Sequence, residues 1–387
     1  PPPLIATPFP EQPATGLWIA STNGEGLEAF RDKLTTLVTT DRALTTVDSA
    51  PAQEGAGGGY SMTYTVEPAT DEYDIVKYDG STLAIAPSRS GCCFILEDMA
   101  LPAEDAAIAS ETTPTDAEIR LFQTDPSAGN GTFLTRIPLE EGYRTEGMYL
   151  VDNALQVLLS TAWWGAFGAR LIEPDYWEAN EVRLDTYDLT DPSQPVLRDQ
   201  WSVEGVLVSS RRRADHIYLI SRHTPVIEGL VPYPSSEEEI ANNEAVLADV
   251  TDHDILPAMS RNDEAITPLT LDDCYRQDPE HPLANERPAD PIITTVLMLS
   301  ATSGEVVEAT CAMESVDGVY LGDSFIALSF VEWHTGSDQT LIHVLDRDDL
   351  SYIGSESVGG ALYSGGNADF RISEFEGALR LVTTRWT

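Results

Sequence analysis

The sequence predicts an all-β protein, a β-propeller with a short N-terminal helix and a helical insertion, and three observations lead there. First, one unit recurs: an apolar strand around an Asp or Glu turn, a second strand ending in an acidic turn, and a short closing strand. Second, the strands alternate apolar and polar residues, which buries one face of each. Third, 387 residues with 42% apolar content can bury a large core. Radial repetition of four-stranded sheets is the arrangement that protects the edges of so many short strands.

The elements follow in chain order. Residues 1–15 are Pro-rich and read as an extended arm. Leu27, Phe30, Leu34 and Leu37 fall at helical spacing, with Ser21 or Thr22 available as a cap, so one amphipathic helix is expected before Thr39. Ala50 to Gly59 is a Gly-rich linker. We therefore expect an arm, helix and linker over 1–59 and a propeller over 60–387, with insertions at about 160–179 and 225–291.

The strand–turn–strand part of the unit occurs as Lys77-Tyr78-Asp79-Gly80 through Ile85, and as Tyr149-Leu150-Val151-Asp152-Asn153 through Val157. It returns as Ala214-Asp215 through Ile220, as Tyr320-Leu321-Gly322-Asp323 through Leu328, and as Phe375-Glu376-Gly377 through Val382. Its continuation appears at Glu118 to Pro126, Val182 to Pro192, Thr295 to Ser300 and Leu341 to Asp346. Asp-Pro and Ser-Gly pairs supply the turns. Four to five blades are expected, as part of a larger propeller or one completed by another polypeptide. In the second insertion Ser236 precedes Glu237-Glu238-Glu239, a capped helix start.

The formal charge of −42, from 64 acids against 22 bases, sets the partners to expect. Such a surface repels nucleic acid and anionic lipid and stays hydrated in salt. No run of about eighteen apolar residues offers a membrane-spanning helix. Four cysteines fit an oxidising, extracellular or periplasmic setting. A Cys274–Cys311 bridge is expected: it would tie the insertion to a blade and close roughly forty residues, worth about 4 kcal/mol in the loop-entropy treatment. Cys92 and Cys93 are adjacent, and two readings stand: a strained vicinal bridge with a redox role, or buried thiols on a strand.

Chemistry-bearing motifs are few. There is no G-x-S-x-G elbow, H-E-x-x-H, phosphate loop or dinucleotide fingerprint. Asp185, Asp188 and Asp191, and likewise Asp346, Asp348 and Asp349, suit either Ca²⁺ or turns in which the acids bond backbone N–H groups, and we expect the turns. The metal content is left open and no organic cofactor is expected. Arg211, Arg212 and Arg213 stand out in so acidic a chain and are candidates for binding an anionic group, or for pairing with acids between blades. The aromatic loop with Trp163, Trp164, Tyr176 and Trp177 is the candidate surface for a protein or glycan.

Asp71-Glu72-Tyr73-Asp74-Ile75-Val76-Lys77-Tyr78-Asp79-Gly80, Asp185 to Pro195, and Ser210-Arg211 followed by His216-Ile217-Tyr218-Leu219 together carry a resemblance. They resemble segments of secreted bacterial and archaeal proteins with a C-terminal β-propeller distantly related to WD repeats. Tyr73 departs from that family's usual Ala, and its later blades have no counterpart here. The resemblance implies a secreted propeller and transfers no catalytic residue. The leading expectation is a non-enzymatic binding or scaffold module. The competing one is an extracytoplasmic hydrolase or quinone-type dehydrogenase using a Cys92–Cys93 bridge.

Overall fold

Two-residue turns shape much of this chain. Asp152-Asn153, Asn262-Asp263 and Glu376-Gly377 all hold positive φ at both central positions, which matches the twist of a tight hairpin. The computed structural model describes residues 17–39, 67, 70–87, 117–161, 179–231, 234–281, 291–316, 318–332, 339–362 and 371–384. The chain divides into two compact units, one made of Tyr73–Thr161 with Arg183–Trp201 and the other of the remainder. In chain order the described residues begin with β1 (Trp18–Ala20), α1 (Glu25–Thr39) and β2 (Thr70–Glu72).

The smaller unit holds two blades. In the first, β3 (Val76–Tyr78), β4 (Thr82–Ile85), β5 (Glu118–Asp125) and β6 (Asn130–Pro138) follow one another side by side. The second runs likewise through β7 (Arg144–Val151), β8 (Ala154–Ser160), β9 (Glu181–Asp188) and β10 (Val196–Glu204). The facing residues Ala84, Ile119 and Leu121 pack with Met148, Leu155, Val157 and Leu159 in one apolar core. Main-chain bonds between Asp74 and Met148 stitch the two blades together (2.8 and 3.2 Å). That approach requires Gly147, where a Cβ would lie 2.9 Å from the Asp74 nitrogen and 2.7 Å from the Tyr73 ring.

The larger unit repeats the plan with additions. Its first blade has β11 (Val206–Arg213) and β12 (His216–His223). An insertion then carries α2 (Glu237–Ala248), α3 (Asp252–Ile255), the hairpin β13 (Met259–Arg261) and β14 (Glu264–Ile266), and β15 (Cys274–Gln277). The blade resumes with β16 (Ile293–Ser300) and β17 (Val306–Ala312). Three strands foreign to the repeat extend this sheet, so the order is β1-β15-β17-β16-β12-β11-β2. The next blade is a plain four-strand unit of β18 (Gly318–Leu321), β19 (Phe325–Glu332), β20 (Gln339–Asp346) and β21 (Tyr352–Gly359). The hairpin β22 (Ile372–Phe375) and β23 (Ala378–Leu381) follows it.

The start of α2 forms as the sequence suggests, whereas at α1 the Thr22 hydroxyl donates to Glu25 and does not cap a helix N–H. Ser236 caps α2 by accepting the Glu239 N–H at 3.2 Å, with three acids in its first turn. At the start of α1 the Glu25 carboxylate accepts the Thr22 N–H and hydroxyl (3.3 and 3.1 Å) and pairs with Arg276 at 3.1 Å. Phe30, Leu34 and Val38 form its buried stripe. Arg31 donates to the Val250 carbonyl and Asn243 to that of Val38, which docks α1 on the insertion. Among the described residues no helix is long and apolar enough to cross a membrane.

Candidate functional site

The structure spends most of the charged residues singled out in the sequence on internal ties. On β11, Arg211 is buried, donating to the Ser209 hydroxyl (2.9 Å) and the Ser210 carbonyl (2.7 Å), with Glu72 of β2 at 3.8 Å. Arg213 pairs with Asp323 of the neighbouring blade and donates to the Thr70 hydroxyl. Arg212 lies between them, in register with Asp71 and Ile217. Two members of the triplet are thus engaged with acids at blade edges. Trp163, Trp164, Tyr176, Trp177, Cys92 and Cys93 lie outside the described residues.

The aspartate triplets resolve into turns. Asp188 accepts the N–H and hydroxyl of Thr190 (2.7 Å each), and Asp191 does the same with Ser193 (3.0 and 2.7 Å). Asp346 and Asp349 accept the N–H of Asp348 and Ser351. The Ser193 hydrogen bonds hold the Asp191 carboxyl below its ordinary range. Asp185 behaves differently: it is buried, with Arg183 at 3.1 Å and the Gln200 amide donating at 3.1 Å. Burial pushes its pKa up, and the Arg183 charge pulls it back. Among the described residues, no group of three His, Cys, Asp or Glu is placed to hold a metal ion.

The Cys274–Cys311 disulfide is present, with both residues buried, and it clamps β15 beside β17. Its consequence is a cluster the sequence did not indicate. With β15 fixed, β1 pairs along it and delivers Trp18 between the two blades of the larger unit. The indole stacks on His343 of β20 (centroids 3.8 Å apart, planes at 12°) and lies near Tyr275 and Tyr352. Its Nε1–H donates to Glu314 Oε2 at 2.7 Å. The other oxygen of Glu314 is 3.4 Å from His343 Nε2. On the far side of the ring, His343 Nδ1 is 2.5 Å from Ser355 Oγ, which is 2.5 Å from the Tyr352 hydroxyl. The Trp18 main-chain N–H donates to that hydroxyl at 3.3 Å.

Donor counting gives these contacts a direction. An ionised carboxylate only accepts, so Glu314 takes the indole N–H and faces an Nε2–H of His343. His343 Nδ1 is then the acceptor for the Ser355 hydroxyl, and Ser355 Oγ accepts from Tyr352, whose oxygen already accepts from Trp18. Every hydroxyl donates once, and the chain of bonds ends at His343 Nδ1; on the other side of the ring Nε2 and Glu314 Oε1 face one another at 3.4 Å without hydrogen-bond geometry. Burial raises the Tyr352 pKa, which keeps its phenol protonated and able to donate. Ser355 is half-buried on β21, the edge strand of its sheet, whereas His343 and Glu314 are 0% and 5% exposed beneath it.

Sequence reasoning missed this cluster because Trp18, Glu314, His343, Tyr352 and Ser355 share no local motif. One signal was available: His343 sits among apolar residues in Leu341-Ile342-His343-Val344-Leu345, and a buried imidazole in a strand needs a polar partner.

The beta propeller domain family matches this chain over residues 60–387. No curated protein matches the sequence. Among solved structures, the acylaminoacyl peptidase of Pyrococcus horikoshii is similar over 76% of this chain and 33% of its own, with 9% identity and a TM-score of 0.31. The chain therefore spans about a third of that protein's length. With a match over most of its residues, the chain belongs to the beta propeller domain family.

Proposed function

We propose that the protein is a secreted or periplasmic propeller, of the WD-like kind found in bacterial and archaeal secreted proteins, that serves as a platform for binding a protein or a glycan. The observation that carries this reading is the buried Cys274–Cys311 bond, which fixes the large insertion to a blade. Disulfides persist in oxidising compartments, and long decorated loops on a rigid scaffold are where recognition resides. The charge of −42 supports the same setting: it keeps the protein solvated outside the cell and favours neutral or cationic partners over nucleic acid.

Recognition is assigned to the aromatic loop around Trp163, Trp164, Tyr176 and Trp177, since flat aromatic faces stack on sugars and anchor protein contacts. The test is retention on immobilised envelope polysaccharides and cell-surface proteins, comparing the native chain with Trp163→Ala/Trp164→Ala. The double variant should keep its circular dichroism and lose retention. Equal retention of both proteins would remove the loop from the binding role.

A further inference from the structure

We propose that Ser355, His343 and Glu314 form an acyl-transfer site, with Ser355 as nucleophile, His343 as base and Glu314 as the group that orients the base. The inference goes beyond the binding role and stands without it. It rests on connectivity. A nucleophile must touch both substrate and base, and the base must lie against its orienting acid. Ser355 Oγ is half-buried and lies 2.5 Å from Nδ1, whereas His343 and Glu314 are both buried, with Nε2 3.4 Å from the Glu314 carboxylate. Trp18 holds the base from its face and the carboxylate through its indole N–H, so neither can turn away.

The same chain of hydrogen bonds supplies an oxyanion donor. Tyr352 O–H points at Ser355 Oγ from 2.5 Å, within reach of an oxygen on a carbon bonded to Oγ. Its own oxygen accepts the Trp18 N–H, which strengthens it as a donor. In the reaction, Ser355 Oγ bonds to the carbonyl carbon of an ester while its proton passes to His343 Nδ1. The carbonyl electron pair moves onto oxygen, where Tyr352 donates. Collapse of that adduct breaks the bond to the alcohol, which leaves with the proton from Nδ1. Water then gives a proton to Nδ1, its oxygen attacks the acyl-serine, and release of the carboxylic acid returns the proton to Ser355. No oxidant or further reactant is needed. An uncharged carboxylic ester is the substrate class, because a surface this acidic repels anionic acyl groups.

The experiment uses the full chain, a fluorophosphonate probe and 4-nitrophenyl acetate. The expected result is one adduct per chain on the peptide carrying Ser355, and nitrophenolate release that falls at least about 100-fold in Ser355→Ala. Glu314→Gln tests positioning: kcat should fall with KM unchanged, and the pH–rate profile should move. Tyr352→Phe should lower kcat by about 100-fold, as loss of an oxyanion donor does. Adduct mapping is done on the native protein, so it does not depend on any variant folding. A natively folded chain with no adduct at Ser355, an adduct at another residue, or nitrophenolate release unchanged in Ser355→Ala would each overturn the proposal.

Discussion

The blade pair in the smaller unit and the blade pair in the larger one start from the same repeat and end differently. Between the first two blades the contact is apolar, with Ile119, Leu121, Leu155 and Val157 facing one another and a main-chain stitch at Gly147. The larger unit has a similar apolar floor, from Val296 and Met298 to Leu328, Leu341 and Leu345. Above that floor sit a carboxylate, an imidazole, two hydroxyls and an indole: the imidazole and hydroxyls come from strands of the repeat, and the indole is brought to them by an added strand. The repeat alone makes a platform. A polar cluster is closed over where β1 and β15 are added to it.

The contrast can be broken most forcefully at the disulfide. Cys274→Ser/Cys311→Ser should cost about 4 kcal/mol in denaturant unfolding of the larger unit, the loss expected for opening a loop of this length. Amides of β4 and β5 should keep their exchange protection. His223 offers a second lever in the same unit, since burial holds its imidazole neutral with a pKa pushed down to about 4. The free side chain takes up a proton near pH 6.5, so the unfolded state binds more protons between those values. Stability is therefore fully present above about 6.5 and is lost as pH falls toward 4, by about 3 kcal/mol. In His223→Leu, melting temperatures recorded across this window should lose that part of the pH dependence.

Smaller effects probe the other pair. Gly147→Ala places a Cβ against the Asp74 main chain and should cost about 2 kcal/mol in the smaller unit, read as a lower unfolding midpoint. Asp191→Ala removes the hydrogen bonds to Ser193 and should cost about 1 kcal/mol, with no change in calcium content.

What could be read in the sequence was local. Asp79-Gly80, Asp152-Asn153 and Glu376-Gly377 announce turns through residues that tolerate positive φ, and the alternation flanking them announces strands. Ser236 and the acids after it mark α2 because capping acts within four residues. The Cys274–Cys311 bond was legible because a long insertion ends beside one cysteine and the next blade strand carries the other. The strap was not. Leu17-Trp18-Ile19-Ala20 is a short apolar run, and its partner strand lies some 250 positions away at Tyr275 to Gln277. The Arg211 to Arg213 run was expected to pair with acids, and Glu72 and Asp323 meet two of its members; which acids these would be depends on topology. Nothing in one sequence tells a Ser–His–Glu cluster from scattered polar residues until topology brings 314, 343 and 355 together.

Trp18 organises the interface between two blades of the larger unit, and hydrogen exchange in Trp18→Ala is the test of that role. The account predicts faster exchange in β1, β15, β20 and β21, with β4, β5 and β8 unchanged. Unaltered exchange around His343 and Tyr352, or a uniform rise across both units, would contradict it.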